Sequence, residues 1–198
     1  MIIYGDSLSG NCYKIKLLCE LLKLDYQWIE VDILAGDTKT SEFLEKNPNG
    51  KIPLLITDEN EAISESNAIL YYLAQQTAFF PSTLLPQTSC LQWMFFEQYS
   101  HEPYIAVARF INKYLGCPAD RLSEYKSKQE GGNKALAVME GRLQKTPFLV
   151  GDTLTIADIS LFAYTHVAEE GGFSLSQYPA IQAWINSIKS QENYINIG

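Results

Sequence analysis

The stretch Ser9-Gly10-Asn11-Cys12 carries the most promising chemistry in the first third of the chain. Met1 to Tyr4 reads as a strand and Asp6 to Asn11 as a turn-rich loop. Ile15, Leu18, Cys19 and Leu22 then recur at the spacing of one helix face. A helix starting near Asn11 aims unsatisfied N–H groups and the positive end of its dipole at that loop, and a thiolate held there is stabilised. An ordinary thiol titrates near about 8.5, and lowering that by roughly two units takes about 2.7 kcal/mol in favour of the anion. A short hydroxyl donor together with a helix terminus supplies stabilisation of that kind. Ser9 is the candidate hydroxyl and the Asn11 amide a second donor; helix capping is an alternative role for both. Cys12 has no partner for an internal disulfide and reads as a small apolar residue of the first helical turn. Tyr4 also carries a hydroxyl, but it falls inside the strand and reads as core.

Other polar residues stand out against apolar surroundings. Ser66, after Glu65, is placed to cap a helix over 67–75. His101 beside Glu102 suits a general acid or a hydrogen bond at a domain interface. Arg109 lies in an apolar run as a candidate buried charge, and His166 reads as a core histidine. Thr155 and Asp158 have the spacing of a capping box, with aspartate in place of Glu or Gln. The four cysteines (Cys12, Cys19, Cys90, Cys117) show no metal-ligand spacing and no C-x-x-C.

The elements that must hold these residues fall into two halves. After the first helix, Tyr26 to Val31 makes a second strand, so the first two strands should pair in parallel. A short helix over 41–46 follows, then the turn Asn47-Pro48-Asn49-Gly50, a strand over 52–56 and a short strand at Ala62-Ile63. Residues 77–88, with Pro81 and Pro86, read as a linker. The remainder is helical: a long aromatic helix over 90–115 with a kink expected at Pro103, a helix marked by Leu136, Met139 and Leu143, an apolar helix over 159–168, and an amphipathic one marked by Ile181, Trp184, Ile185 and Ile188. Gly131-Gly132 is expected to bend or fray the second long helix. With 198 residues the chain can bury a substantial core. Its net charge of −8, only three arginines and scattered lysines argue against nucleic acid and anionic membrane surfaces. No apolar run reaches the length of a membrane span and the start lacks a signal-peptide pattern, so a cytoplasmic protein with reduced thiols is expected.

This order of elements resembles the cytosolic glutathione transferases, over essentially the whole chain. Four motifs carry the resemblance: Ser9-Gly10-Asn11-Cys12, Asn47 to Pro53, Glu65-Ser66, and Gly151-Asp152 with Thr155-Ile156-Ala157-Asp158. Phe96 to Pro103 is similar to a bacterial subgroup, serine-type and theta- or nu-like. The resemblance implies an α/β thioredoxin-like N-terminal domain (1–76), the linker (77–88) and an all-α C-terminal helical domain (89–198). It implies glutathione as co-substrate, with no metal, and a homodimer. Ser9 and Asn11 would be catalytic. Glu65 and Ser66 would hold the γ-glutamyl end, Ile52 before a cis Pro53 would pair with the cysteinyl backbone, and Lys51 and Lys39 would meet the glycine carboxylate. Where many relatives carry histidine just before Lys39, this chain has Thr38. Tyr99, His101, Tyr104 and Ala108 would line the pocket for a small hydrophobic electrophile. Asparagine two positions after the hydroxyl also resembles transferases that act mainly as glutathione-dependent disulfide reductases. Three activities therefore stand side by side: conjugation, disulfide or peroxide reduction, and a non-catalytic ligand carrier or scaffold.

Overall fold

The structure, a computed structural model, describes residues 1–198. The chain forms two compact units, Met1–Gln75 with Gln191–Gly198, and Gln76–Ser190. The first contains β1 (Ile2–Gly5), α1 (Gly10–Leu22), β2 (Gln27–Glu30), α2 (Ser41–Lys46), β3 (Leu54–Ile56), β4 (Ala62–Ser64) and α3 (Ser66–Ala74). Its sheet has the order β2-β1-β3-β4. The expected parallel pair is present, with Ile3 opposite Trp28, while β3 runs antiparallel to both β1 and β4. Helices α1 and α3 pack together, and Ile15, Leu18, Ile69 and Leu70 are fully buried. This is the thioredoxin-like arrangement.

β3 starts later than the sequence pattern suggests, because Ile52 and Pro53 lie ahead of the ladder, joined by a cis peptide bond. The last eight residues group with this first unit rather than with the helices that precede them. The Tyr13 hydroxyl donates to the Ile195 carbonyl at 2.7 Å, and Lys23 pairs with Glu192 at 3.2 Å.

The second unit is helical: α4 (Leu84–Phe96), α5 (Glu102–Arg109), α6 (Leu122–Leu143), α7 (Ile156–Thr165) and α8 (Pro179–Lys189). Helix α4 starts inside the stretch read as linker. Pro86 is its third residue, in the first turn, where its missing N–H leaves no intrahelical bond unmade. The aromatic helix expected over 90–115 is interrupted by two π-helical turns, at Glu97–His101 and Phe110–Tyr114. Pro103 brings no N–H to the carbonyl four residues before it. The chain answers with a wider turn, in which the Glu102 N–H bonds the Glu97 carbonyl five residues back.

The glycine pair corrects another expectation. Helix α6 runs unbroken through Gly131 and Gly132. A Cβ at Gly131 would meet the Tyr104 ring, and one at Gly132 the Phe173 ring, each at 2.2 Å. The glycines are seats for two aromatic rings from neighbouring segments, and this contact outweighs their poor helix propensity.

Every residue of α7 is buried. Asp158, with no exposure, completes the expected capping box. Thr155 N and Thr155 Oγ1 donate to its Oδ2, both at 2.9 Å. Leu149 N and Trp184 Nε1 donate to its Oδ1, at 2.8 and 2.9 Å. The carboxylate thereby joins α7, α8 and the loop before α7. No helix is long and apolar enough to cross a membrane.

Candidate functional site

The loop between β1 and α1 is held from both sides. Asp6 accepts from Leu8 N at 2.8 Å through its carboxylate and from Ser9 N at 3.0 Å through its carbonyl. Glu30, at the end of β2, accepts from Ser7 N, Ser7 Oγ and Trp28 Nε1, each at 2.7 Å. Burial alone would raise the Glu30 carboxyl, but these donors and Lys16 outweigh it and hold it below the ordinary glutamate range. Burial pushes the Asp6 carboxyl up, against the pull of its backbone donors. The loop therefore delivers Ser9 to the start of α1 in a defined conformation.

Ser9 is the N-cap of α1, with extended backbone, and its Oγ accepts from Cys12 N at 3.4 Å. Capping uses a lone pair and leaves the hydroxyl its proton, so one serine can cap the helix and donate to a bound anion. The two roles read from sequence are compatible. Cys12 is fully buried, and burial pushes its thiol up to about 12. It packs as the small apolar residue expected.

Asn11 lies inside the helix rather than at its cap. Its Oδ1 accepts from Ser66 Oγ at 3.3 Å. Ser66 corrects a second capping assignment: it is the first residue of α3, and Glu65 occupies the cap position without a side-chain bond. Glu65 takes φ +68, a left-handed region costly for a residue with a Cβ. Ser66 is 5% exposed, and its hydroxyl is turned inward. There it also accepts from Lys14 Nζ at 3.2 Å. Lys14 has no exposed surface at all and was missed from the sequence. The available signal was its place on α1, three residues after Asn11 and four before the buried Leu18, on a face that turns inward.

The turn before the cis bond is organised by Asn47, 4% exposed. Asn47 Nδ2 donates to the Lys51 carbonyl at 2.7 Å, and its Oδ1 accepts from Asn49 N at 3.2 Å. Gly50 has φ +60, and a Cβ there would stand 2.7 Å from Lys39 Nζ. Lys39 itself donates to the Gly50 carbonyl at 3.1 Å. Its head group thus braces the turn that presents Ile52, Pro53 and the exposed Lys51. Thr38 is buried in the short 3-10 turn beside it.

Of the four residues expected to line an electrophile pocket, the structure brings two together. Tyr99 and Tyr104 line a groove of about 310 Å³ on the second unit, with Phe96, Gly131, Lys134 and Val138. Lys128 sits over the Tyr104 ring, 5.9 Å from its centre. His101 and Ala108 are fully buried and do not line it. The bond seen for His101 lies within the helical unit. Its Nε2 meets Thr165 Oγ1 at 2.9 Å, and Thr165 belongs to α7 of the same unit. Thr165 donates its own proton to the Leu161 carbonyl at 2.7 Å, so His101 donates to Thr165. Arg109 is the buried charge expected, paired with Glu170 at 2.7 Å. No group of three or more His, Cys, Asp or Glu is placed to hold a metal ion.

Comparisons with known proteins bear on the family and the fold. The family profile "Glutathione S-transferase, N-terminal domain" matches residues 8–76, and "Glutathione S-transferase, C-terminal domain" matches 93–192. The chain is 57% identical to a glutathione S-transferase from Pseudomonas fluorescens Pf-5, whose crystal structure superposes with a TM-score of 0.97 over 99% of this chain and 98% of that one. It is 31% identical to the disulfide-bond oxidoreductase YfcG of Escherichia coli K12, over 92% of this chain and 87% of that protein. A glutathione transferase of Phanerochaete chrysosporium, URE2P6, crystallised with oxidized glutathione, is 27% identical with a TM-score of 0.87, over 97% of this chain and 91% of that one.

Proposed function

The chain belongs to the glutathione S-transferase family, and from that premise we propose that it binds glutathione on its first unit and activates the thiol for attack on small hydrophobic electrophiles. The Ser9 hydroxyl carries this reading: it sits at the N-terminus of α1 with its capping bond made through a lone pair. A thiolate beside it receives one O–H donor and the positive end of a 13-residue helix. The Asn11 amide is the second donor. Residues 1–76 then act as the glutathione-binding domain. Ser66 and the strained Glu65 receive the γ-glutamyl end at the start of α3. The Ile52 backbone, held next to cis Pro53, pairs with the cysteinyl part. Lys51 meets the glycine carboxylate, and Lys39 contributes by bracing the turn. The groove of Tyr99 and Tyr104 takes the electrophile. The same reading takes the protein as a cytoplasmic homodimer.

A second reading is glutathione-dependent disulfide reduction. It is favoured by Asn11 standing two residues after Ser9, and by the resemblance to an oxidoreductase of disulfide bonds. In both readings the first chemical event is the same: glutathione loses its thiol proton and its sulfur attacks.

Ser9→Ala separates activation from binding. Turnover should fall about a hundredfold, the scale on which a lost transition-state donor acts, while affinity for reduced glutathione changes less than threefold. Steady-state rates with a chloronitrobenzene and with a small glutathione-mixed disulfide, run beside titration calorimetry, check both. Unchanged turnover on both substrates removes Ser9 from the chemistry. The substrate that the wild type turns over faster decides between the two readings.

A further inference from the structure

We propose that Lys14 is a positioning residue that makes the Ser66 hydroxyl selective for a carboxylate. The proposal rests on the assignment of Ser66 to the γ-glutamyl end of glutathione. An ammonium group donates hydrogen bonds and accepts none. With Lys14 Nζ at 3.2 Å, Ser66 Oγ spends a lone pair on it, and the single hydroxyl proton goes elsewhere. In the structure it goes to Asn11 Oδ1 at 3.3 Å. Both bonds are long for their type, so the hydroxyl is oriented but loosely held.

An arriving carboxylate replaces Asn11 as acceptor for that proton. It then lies about 5 Å from Lys14 Nζ, across two hydrogen bonds that meet at a roughly tetrahedral angle on Ser66 Oγ. Lys14 has no exposed surface and Ser66 very little, so water screens this attraction weakly. The charge also stands behind the first turn of α3, where it adds to the dipole of that helix. A neutral ligand group at the same place forfeits the charge term and keeps only one hydrogen bond. The arrangement therefore discriminates by charge through a residue that the ligand does not touch. No covalent step is involved; a proton of one hydroxyl changes acceptor.

The test compares two ligands on three proteins. One ligand is reduced glutathione. The other is its analogue with the γ-glutamyl α-carboxylate replaced by an uncharged carboxamide. The proteins are the wild type, Lys14→Met and Lys14→Arg, each melted first to establish folding, with Lys14→Gln in place of the methionine variant if that one melts early. Calorimetry should show the wild type preferring glutathione at least tenfold over the amide. The neutral variant should compress that preference to threefold or less, and Lys14→Arg should restore most of it. Because the readout is a ratio of two ligands on one protein, general loosening of the site cancels. A neutral variant that keeps the wild-type ratio overturns the proposal. A wild type that binds glutathione without preferring it to the amide overturns it too, and leaves the proposed function standing. A wild type that binds neither ligand overturns the function from which the proposal starts.

Discussion

The molecule holds two buried polar clusters built to opposite rules. Around Asp158 in the helical unit, four donors meet two carboxylate oxygens at 2.8–2.9 Å, and all of them come from the same unit. Around Ser66 in the sheet-containing unit, one hydroxyl is shared between an ammonium and an amide at 3.2 and 3.3 Å. The first cluster is saturated by its own chain and has nothing to offer a guest. The second borders the start of α3, and its Ser66 hydroxyl is held by two long bonds. Saturation gives stability; loose engagement leaves hydrogen-bonding capacity for a ligand. Polar burial alone therefore does not mark a binding site. The quality of the internal bonds tells the two clusters apart.

The largest effect should come from breaking the saturated cluster. Asp158→Ala strands the N–H groups of Leu149, Trp184 and Thr155 in the interior. Each stranded donor costs about 1–3 kcal/mol. A total loss of roughly 3–5 kcal/mol is expected, a large share of an ordinary stability of about 5–15 kcal/mol. Urea unfolding followed by tryptophan fluorescence measures it. A loss below about 1 kcal/mol would mean that the carboxylate is a passenger in its own network, and the contrast with Ser66 would fail.

Next in size is an acid sensitivity belonging to the same helical unit. His166 stacks on Phe162, with ring centres 4.4 Å apart, and Phe162 meets Trp184 edge-on. Burial pushes the His166 imidazole down to about 4; Lys189 and Arg109 add to this, and the bond to the Phe162 carbonyl and the charge of Glu170 oppose it. In the unfolded chain the ring titrates near about 6.5. Between those values the unfolded state binds the extra proton, so stability rises with pH across the window and falls as the solution is acidified. The expected loss from pH 6.5 to pH 4 is about 3 kcal/mol. His166→Phe should remove that slope while keeping the stack. Denaturation midpoints of both proteins at half-unit pH steps check the sign; parallel curves would exclude His166 as the source.

What the sequence conveyed and what it withheld divide along a physical line. The helix faces and the Thr155–Asp158 cap were legible because each is encoded within a few residues, and the parallel strand pair because a strand-helix-strand order implies it. Ser9 and Ser66 were legible as candidates, yet the bonding of Ser66 was not. Its inward turn depends on Lys14, 52 positions away in the chain. Lys14 drew no reading of its own: its helix face hints at burial, but nothing local states that Ser66 of α3 will meet it. Gly131 and Gly132 were misread for the same reason: propensity describes a helix alone, whereas Tyr104 and Phe173 decide what those two positions are for. The π turn before Pro103 lay between these extremes. The proline announced a disturbance, and the register chosen to absorb it was set by packing.

The smallest stability effect is expected at Ser66, and its smallness is the sharpest test of the comparison. Ser66→Ala removes a hydroxyl whose bonds are long, and it leaves the half-buried Asn11 and the buried Lys14 ammonium each one bond short. A neutral hydrogen bond contributes about 1 kcal/mol and one to a charged group about 1.5–3, and both bonds here are long, so the unfolding free energy should drop by about 1–2 kcal/mol. The same substitution deletes the donor offered to the γ-glutamyl carboxylate, and glutathione affinity should fall about tenfold, more than for Ser9→Ala. Asp158→Ala should show the reverse pattern, a large loss of stability with glutathione affinity unchanged in whatever fraction stays folded. If Ser66→Ala instead unfolds the protein as readily as Asp158→Ala does, the cluster around Ser66 is structural mortar like the other. Bond length would then not separate a site from a core.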